Sequence, residues 1–185
     1  KWTSRSVIAN TTGIDAAIDG HSHEVCVENV PNENGEMVVL TQTGTKFANI
    51  GKLTITTDGQ IQVAHKGRTW FEIEMTGVTA HASQPWKGAD AVAAMAEVVC
   101  SLRRAFMALP AHDELGPSTI TFGQIEGGYR PYVVPDRAKV WVDMRLTPPT
   151  DTAVAKRMVE QAIAGAEAAV PGCHGSYTVT GDRPP

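Results

Sequence analysis

The sequence predicts an α+β fold: a β-α-β-β-α-β series forming one antiparallel sheet with two helices on one face, preceded by a mostly β N-terminal segment. Three observations predict it. Beyond about residue 66 the apolar positions switch from a period of two to steps of three and four and back, twice over. Both helical runs are closed by breakers, Pro110 for the first and Pro171-Gly172 for the second. The first sixty residues fall into short apolar runs between turn residues, with no face long enough for a helix of more than two turns.

In the first part, Ile14 to Ile18 is an apolar segment ending at Asp19-Gly20, and Asn32 to Gly35 is a turn cluster. Met37 to Thr41 is rich in strand formers, and Lys52 to Thr57 alternates before Asp58-Gly59. In the second part, Phe71, Ile73 and Met75 alternate with Glu72, Glu74 and Thr76, as in a strand with one wet face. Val92, Met95, Val99, Leu102, Phe106 and Leu109 then mark an amphipathic helix running from near Gly88 to Pro110. Ser118 to Ile125 reads as a second strand, closed by Gly127-Gly128. Ala138 to Leu146 reads as a third, with Val140, Val142 and Met144 on one side and Trp141, Asp143 and Arg145 on the other. Pro148-Pro149 breaks it, and Thr150 or Asp151 caps a helix whose apolar side is Ala155, Val159, Ala162, Ile163 and Ala166. Ser176 to Thr180 is the last strand. This order is the ferredoxin-like split unit, whose second sheet face is left to cover a partner or a site. Two domains are expected, residues 1–60 and 61–185, and the smaller is expected to dock on the sheet, pair with a second chain or be loosely held.

Composition narrows the function. The chain has 185 residues, 42% of them hydrophobic, and 16 Lys and Arg against 20 Asp and Glu. A net charge of -4 is too weak a field for phosphate-backbone binding, so no nucleic-acid partner is expected. No apolar run reaches the length of a membrane span, and Lys1 to Ser6 carry no signal-peptide core. Cys26, Cys100 and Cys173 are too far apart for a close-spaced zinc site and odd in number, which tips the expected compartment slightly toward the cytoplasm without deciding it.

Two constellations carry chemistry. In Gly20-His21-Ser22-His23 two histidines at i and i+2 project to one side of an extended segment after a Gly-led turn. The alternative is two exposed loop histidines. With Ile14 to Asp19 before them, and Gln42-Thr43-Gly44 and Asn49-Ile50-Gly51-Lys52-Leu53 after, these residues resemble the end of the catalytic domain of 5'-nucleotidases and related metallophosphoesterases. The resemblance implies His21 and His23 as ligands of a dinuclear metal centre. The earlier motifs of the D-x-H, G-D and N-H-E type from which the family draws its remaining ligands do not occur upstream of this segment, so the site is expected to be incomplete.

The second constellation runs from Lys66-Gly67-Arg68-Thr69-Trp70 through Thr76-Gly77-Val78-Thr79-Ala80-His81-Ala82-Ser83, Lys87-Gly88-Ala89-Asp90-Ala91, Gly127-Gly128, Val133-Val134-Pro135-Asp136 and Asp143-Met144-Arg145 to Gly181-Asp182-Arg183-Pro184. Over about 120 residues it resembles the lid, or dimerisation, domain of aminoacylase-type zinc metallopeptidases such as acetylornithine deacetylase, succinyl-diaminopimelate desuccinylase and glutamate carboxypeptidase.

That resemblance implies roles. His81, in a turn after a strand, is implied to reach across a homodimer into the partner's active site and stabilise the oxyanion there, the alternative being a solvated or hydrogen-bonded structural histidine. Arg145 is implied to grip a substrate carboxylate, the alternative being an ion pair with Asp143. Gly127-Gly128 fits a backbone bend or a close approach of substrate to Gly128, the alternative being an ordinary turn. Tyr132 stands where the family usually has Asn, which leaves the substrate-facing polar set open.

The catalytic half of such enzymes holds two zinc ions through an H-x-D motif, a Glu-Glu pair and further ligands, and this sequence has neither motif. The expectation is a dimerisation and substrate-covering domain of a zinc-dependent amidohydrolase, deacylase or carboxypeptidase. Its partners would be a second copy and a catalytic domain, and it would be inactive alone. The alternatives are a remnant of a dinuclear-metal nucleotidase and a non-catalytic interaction module.

Overall fold

The structure is a computed structural model that describes residues 3–20, 22–44, 51–183 and 185. The chain divides into two compact units, Lys1–Lys66 and Gly67–Pro185.

The first unit opens with a short helix, α1 (Ser4–Ala9), capped by Thr3, whose side chain accepts from the Ser6 N–H at 3.2 Å. Strands β1 (Ala16–Ile18), β2 (Val25–Pro31) and β3 (Met37–Thr43) form a sheet in the order β1-β3-β2, parallel between β1 and β3 and antiparallel between β2 and β3. The Asn32–Gly35 turn joins β2 to β3, with Asn32 Oδ1 accepting from the N–H groups of Asn34 and Glu36, each at 2.9 Å. Ile8, Val38 and Leu40 are its buried apolar centre. Strands β4 (Gly51–Ile55) and β5 (Ile61–His65) form a separate hairpin around Asp58-Gly59. The sequence reading has no counterpart for β2 and β5.

The second unit has strands β6 (Gly67–Thr76), β7 (Thr119–Gly127), β8 (Arg137–Leu146) and β9 (His174–Arg183) in the order β7-β8-β6-β9, with every neighbouring pair antiparallel. Helices α2 (Ala91–Met107) and α3 (Thr152–Ala169) connect them as the split unit requires. Asp90 caps α2 by accepting from the Ala93 N–H at 2.9 Å, and Asp151 caps α3 through the Val154 N–H at 2.8 Å. The expected α+β class is observed, and both helices share one core with Phe71, Ile73, Met75, Val140, Val142 and Met144. They therefore lie on the same face of the sheet.

Two details differ from the sequence reading. The buried stripe of α2 is Ala91, Ala94, Met95, Val98, Leu102 and Phe106, rotated from the expected one, so that Val92 is 40% exposed. The buried stripe begins with the small Ala91 and Ala94, while Val92 is carried to the outside. Strand β7 runs on to Gly127, which pairs with Ala138 of β8, and the register slips between Phe122 and Gln124, leaving Gly123 as the extra residue.

Candidate functional site

At the end of β6 the chain enters a loop, residues 77–90, bound residue by residue to the segment 130–136. Gly77 N–H donates to Asp136 O at 2.8 Å, Val134 N–H to Ala80 O at 2.8 Å, Ala82 N–H to Tyr132 O at 3.0 Å and Ala91 N–H to Pro135 O at 2.9 Å. Within the loop, Val78 and Ala89 exchange two hydrogen bonds of 2.9 Å. This closeness explains Gly77: a Cβ there would stand 2.1 Å from the Ala89 carbonyl oxygen. The two segments form one stitched platform, with little freedom left to the backbone that carries His81.

His81 is exposed on that platform. Its Nδ1 lies 2.8 Å from Ser83 Oγ and accepts from the Ser83 N–H at 3.2 Å. Gly128, at φ +66°, turns the chain after β7. Gly128 shares a cavity of about 350 Å³ with Ala82, Pro85, Asp90 and Val133. Tyr132, the residue in the position usually held by Asn, contributes its backbone carbonyl to the stitching whatever its side chain does, and that side chain is 56% exposed.

Arg145 lies elsewhere. It is on the open face of the sheet near the end of β8, opposite Arg68 of β6, which in turn lies opposite Arg183 of β9. Three guanidinium groups thus form one cross-strand row, an arrangement of like charges that is unfavourable by itself. Asp143 offsets it, accepting from Arg145 Nε and Nη2, both at 2.8 Å. Arg68 stacks over Trp70, 4.0 Å from the ring centroid. Burial, then the charges of Arg183 and Arg145, pull the Arg68 guanidinium below its ordinary value. Beyond this row Trp70, Trp141, Gly123 and Thr180 line a shallow cavity of about 260 Å³.

His81 and Arg145 are therefore at opposite ends of one sheet. Eight residue steps of β6 separate Arg68, beside Arg145, from Thr76, before His81, which is about 26 Å of strand. No small substrate spans that distance within one chain. The structure sets Gly128 in a cavity lined by Ala82, the chain neighbour of His81, and holds Arg145 at the other end of the sheet, in the ion pair that was the alternative reading of that residue.

Of the expected metal pair, His21 lies outside the described residues. His23 is exposed, with a positive φ of 60°. Around it Ser22 Oγ donates to Gln42 Oε1 at 2.8 Å, and Gln42 Nε2 to Asp19 Oδ2 at 3.3 Å. Among the described residues no three His, Cys, Asp or Glu side chains come together as a metal site would need. The described residues do not by themselves make up a dinuclear centre.

Sequence reasoning missed two features here. Ser83 stood in the motif without a role, although its spacing of two from His81 was a signal. The partners of Arg145 in the arginine row are set by strand register, which no local pattern reveals.

Residues 63–170 match the peptidase dimerisation domain. A probable carboxypeptidase of Aspergillus terreus is 33% identical over 124 residues, covering 62% of this chain and 29% of that protein. An aminobenzoyl-glutamate utilization protein from Klebsiella pneumoniae has a solved structure 26% identical, with a TM-score of 0.53, covering 64% of this chain and 29% of its own. A hydantoinase/carbamoylase family amidase from Burkholderia ambifaria shares the fold at 24% identity, with a TM-score of 0.54 over 64% of this chain and 28% of its own. The chain spans less than a third of the length of these relatives. They support the metallopeptidase resemblance of the second unit and lend none to the 5'-nucleotidase resemblance of residues 1–60.

Proposed function

The chain belongs to the peptidase dimerisation domain family through residues 63–170, and from that membership we propose that residues 61–185 dimerise and cover the substrate of a metal-dependent amidohydrolase or carboxypeptidase. The observation that carries this reading is the apolar outer surface of α2 and β7. Strand β7 is an edge of the sheet. Ile125 on it is 59% exposed, and on α2 Val92 and the 77% exposed Met107 face outward. Val92 packs over Gly127, where a Cβ would stand 2.7 Å from its Cγ2, so helix and edge strand present one continuous surface. An edge strand flanked by exposed apolar side chains is the kind of surface a second copy covers.

Dimerisation gives the distance between His81 and Arg145 a use. In a two-fold pair each protomer would offer His81 to one active site and Arg145 to another, so that neither site is complete without both chains. The His81 imidazole would donate a hydrogen bond to the scissile carbonyl as charge develops on its oxygen. Arg145, turned from Asp143, would hold a substrate carboxylate through its planar fork, and Gly128 would let substrate lie close to the backbone. A divalent metal, zinc by the resemblance, would be held in the catalytic half of such enzymes, and the described residues here supply no donor set for it. The chain by itself is therefore expected to show no turnover.

Light scattering tests the reading. A metal-independent mass near twice 19.8 kDa, returned to the single mass by Ile125→Lys, is the expected result. A monomer at every concentration, or association only on adding Zn²⁺, would overturn it. Restoration of activity to a deacylase dimer lacking its own lid, lost again with His81→Ala, would separate a working lid from a bare interaction module.

A further inference from the structure

The His81 ring is held by one neighbour only among the described residues, and the chemistry of that contact is one-sided. A backbone N–H can donate and cannot accept. The Ser83 N–H, 3.2 Å from His81 Nδ1, therefore requires a lone pair on that nitrogen. A neutral imidazole carries a single ring proton, so a lone pair at Nδ1 places the proton on Nε2, on the far side of the ring. We infer that Ser83 is a positioning residue that selects the Nε2–H tautomer of His81, so that the nitrogen offered outward from the platform is a hydrogen-bond donor.

Each group of Ser83 has its own part. The amide is fixed by the loop, since Gln84 N–H donates to His81 O at 2.8 Å and Ala82 N–H to Tyr132 O, clamping the residues on either side. These bonds set the direction from which the amide meets the ring. The hydroxyl, 2.8 Å from Nδ1, can rotate: it donates to the lone pair of the neutral ring and accepts from Nδ1–H if the ring takes a second proton. In the other neutral tautomer Nδ1–H would have Ser83 Oγ as acceptor, but the Ser83 N–H would be set against it at 3.2 Å with no lone pair to meet, and a lone pair would turn outward.

This assignment rests on the proposed function only for what the outward proton serves. A carbonyl oxygen becoming an oxyanion accepts hydrogen bonds, so a donor at Nε2 would attract it and a lone pair would repel it. The same pattern recurs at His112, whose Nδ1 accepts from the N–H groups of Glu114 and Leu115, each at 3.2 Å. That ring serves as an internal comparison.

The test is nitrogen NMR of the whole chain labelled with ¹⁵N, with no activity required. The expected spectrum shows His81 Nδ1 as an unprotonated nitrogen, Nε2 as a protonated one, and a ¹⁵N–¹⁵N coupling across the hydrogen bond from the Ser83 amide to Nδ1. Ser83→Ala keeps the amide and is expected to keep both the tautomer and the coupling. Ser83→Pro removes the amide and is expected to move the ring signals to the averaged positions of a free imidazole. Wild-type ring signals already at those averaged positions, a proton on Nδ1, or absence of the coupling would each overturn the assignment, and the wild-type spectrum decides even if Ser83→Pro does not fold. Because the spectrum reads one loop and light scattering reads association, either proposal can fail while the other stands.

Discussion

Asp143 holds Arg145 in a two-point fork, Oδ1 to Nε and Oδ2 to Nη2, each 2.8 Å, between alternate residues of one strand. The fork faces the open side of the sheet, and the two side chains are 27% and 31% exposed. Water and salt screen a pair so placed, and its worth to stability is at most about 1 kcal/mol. Urea denaturation of Arg145→Ala, Asp143→Ala and the double variant is expected to give a coupling of about 0.5 kcal/mol. A coupling above about 2 kcal/mol would mean that the pair is a structural clamp and is not free to turn to a ligand.

The rotated face of α2 makes a paired prediction. Leu102 is fully buried in the core, and Leu102→Ala is expected to cost about 2–5 kcal/mol. Val92→Ala, at concentrations where the chain is monomeric, is expected to change stability by no more than about 0.5 kcal/mol. Equal losses would restore the stripe expected from sequence, in which both positions face the core.

Two glycines should respond in opposite directions. A Cβ at Gly77 meets the Ala89 carbonyl oxygen, which is backbone and cannot swing aside, so Gly77→Ala is expected to cost about 1–3 kcal/mol. Gly165, in the interior of α3, has nothing within 4 Å of such a Cβ. Gly165→Ala is expected to raise stability by about 0.5–1 kcal/mol, by restricting the unfolded chain and favouring the helix. Thermal unfolding of the two variants beside the parent would check both signs.

Tyr177 predicts an alkaline response. Its hydroxyl donates to Glu160 at 2.7 Å, and this bond, with burial and the carboxylate charge behind it, pushes the phenol above its ordinary value. A folded value raised above the unfolded one means that the contribution is fully present below about pH 10 and is lost as pH rises through the folded value. Phenolate absorbance, read as the difference between the parent and Tyr177→Phe, is expected to show this group titrating late. Glu160→Gln should bring it back toward pH 10. A Tyr177 that titrates at the ordinary phenol value in the parent would show that the hydrogen bond does not persist in solution.

The sequence by itself determined the second unit almost completely. Its strands and helices alternate between two periods, the caps Asp90 and Asp151 sit where helices begin, and the apolar side of α3 is Ala155, Val159, Ala162, Ile163 and Ala166 as its spacing predicts. Such patterns are local, and a local pattern is written in neighbouring residues. Strand β2, with Glu28, Asn29 and Pro31, lacks clean alternation because its partner β3 sustains it through paired backbone. The face of α2 was legible only as amphipathic, since Val92 and Val98 are equally apolar and the sheet decides which of them is covered.

Function divides in the same way. His81, Gly128 and Arg145 could be picked out by motif, but that Arg145 lies beside Arg68, about 26 Å of strand from the Thr76 end of β6 that leads to His81, follows from antiparallel register. Register also places Arg68 between Arg145 and Arg183, residues far apart in the chain. The contact of Ser83 with His81 needs the platform of residues 77–90 and 130–136, which fixes the direction of an amide that the sequence shows only as one more serine. Periodicity records which side of an element is apolar; what that side meets, and how far apart two motifs come to rest, is settled by pairing across the fold.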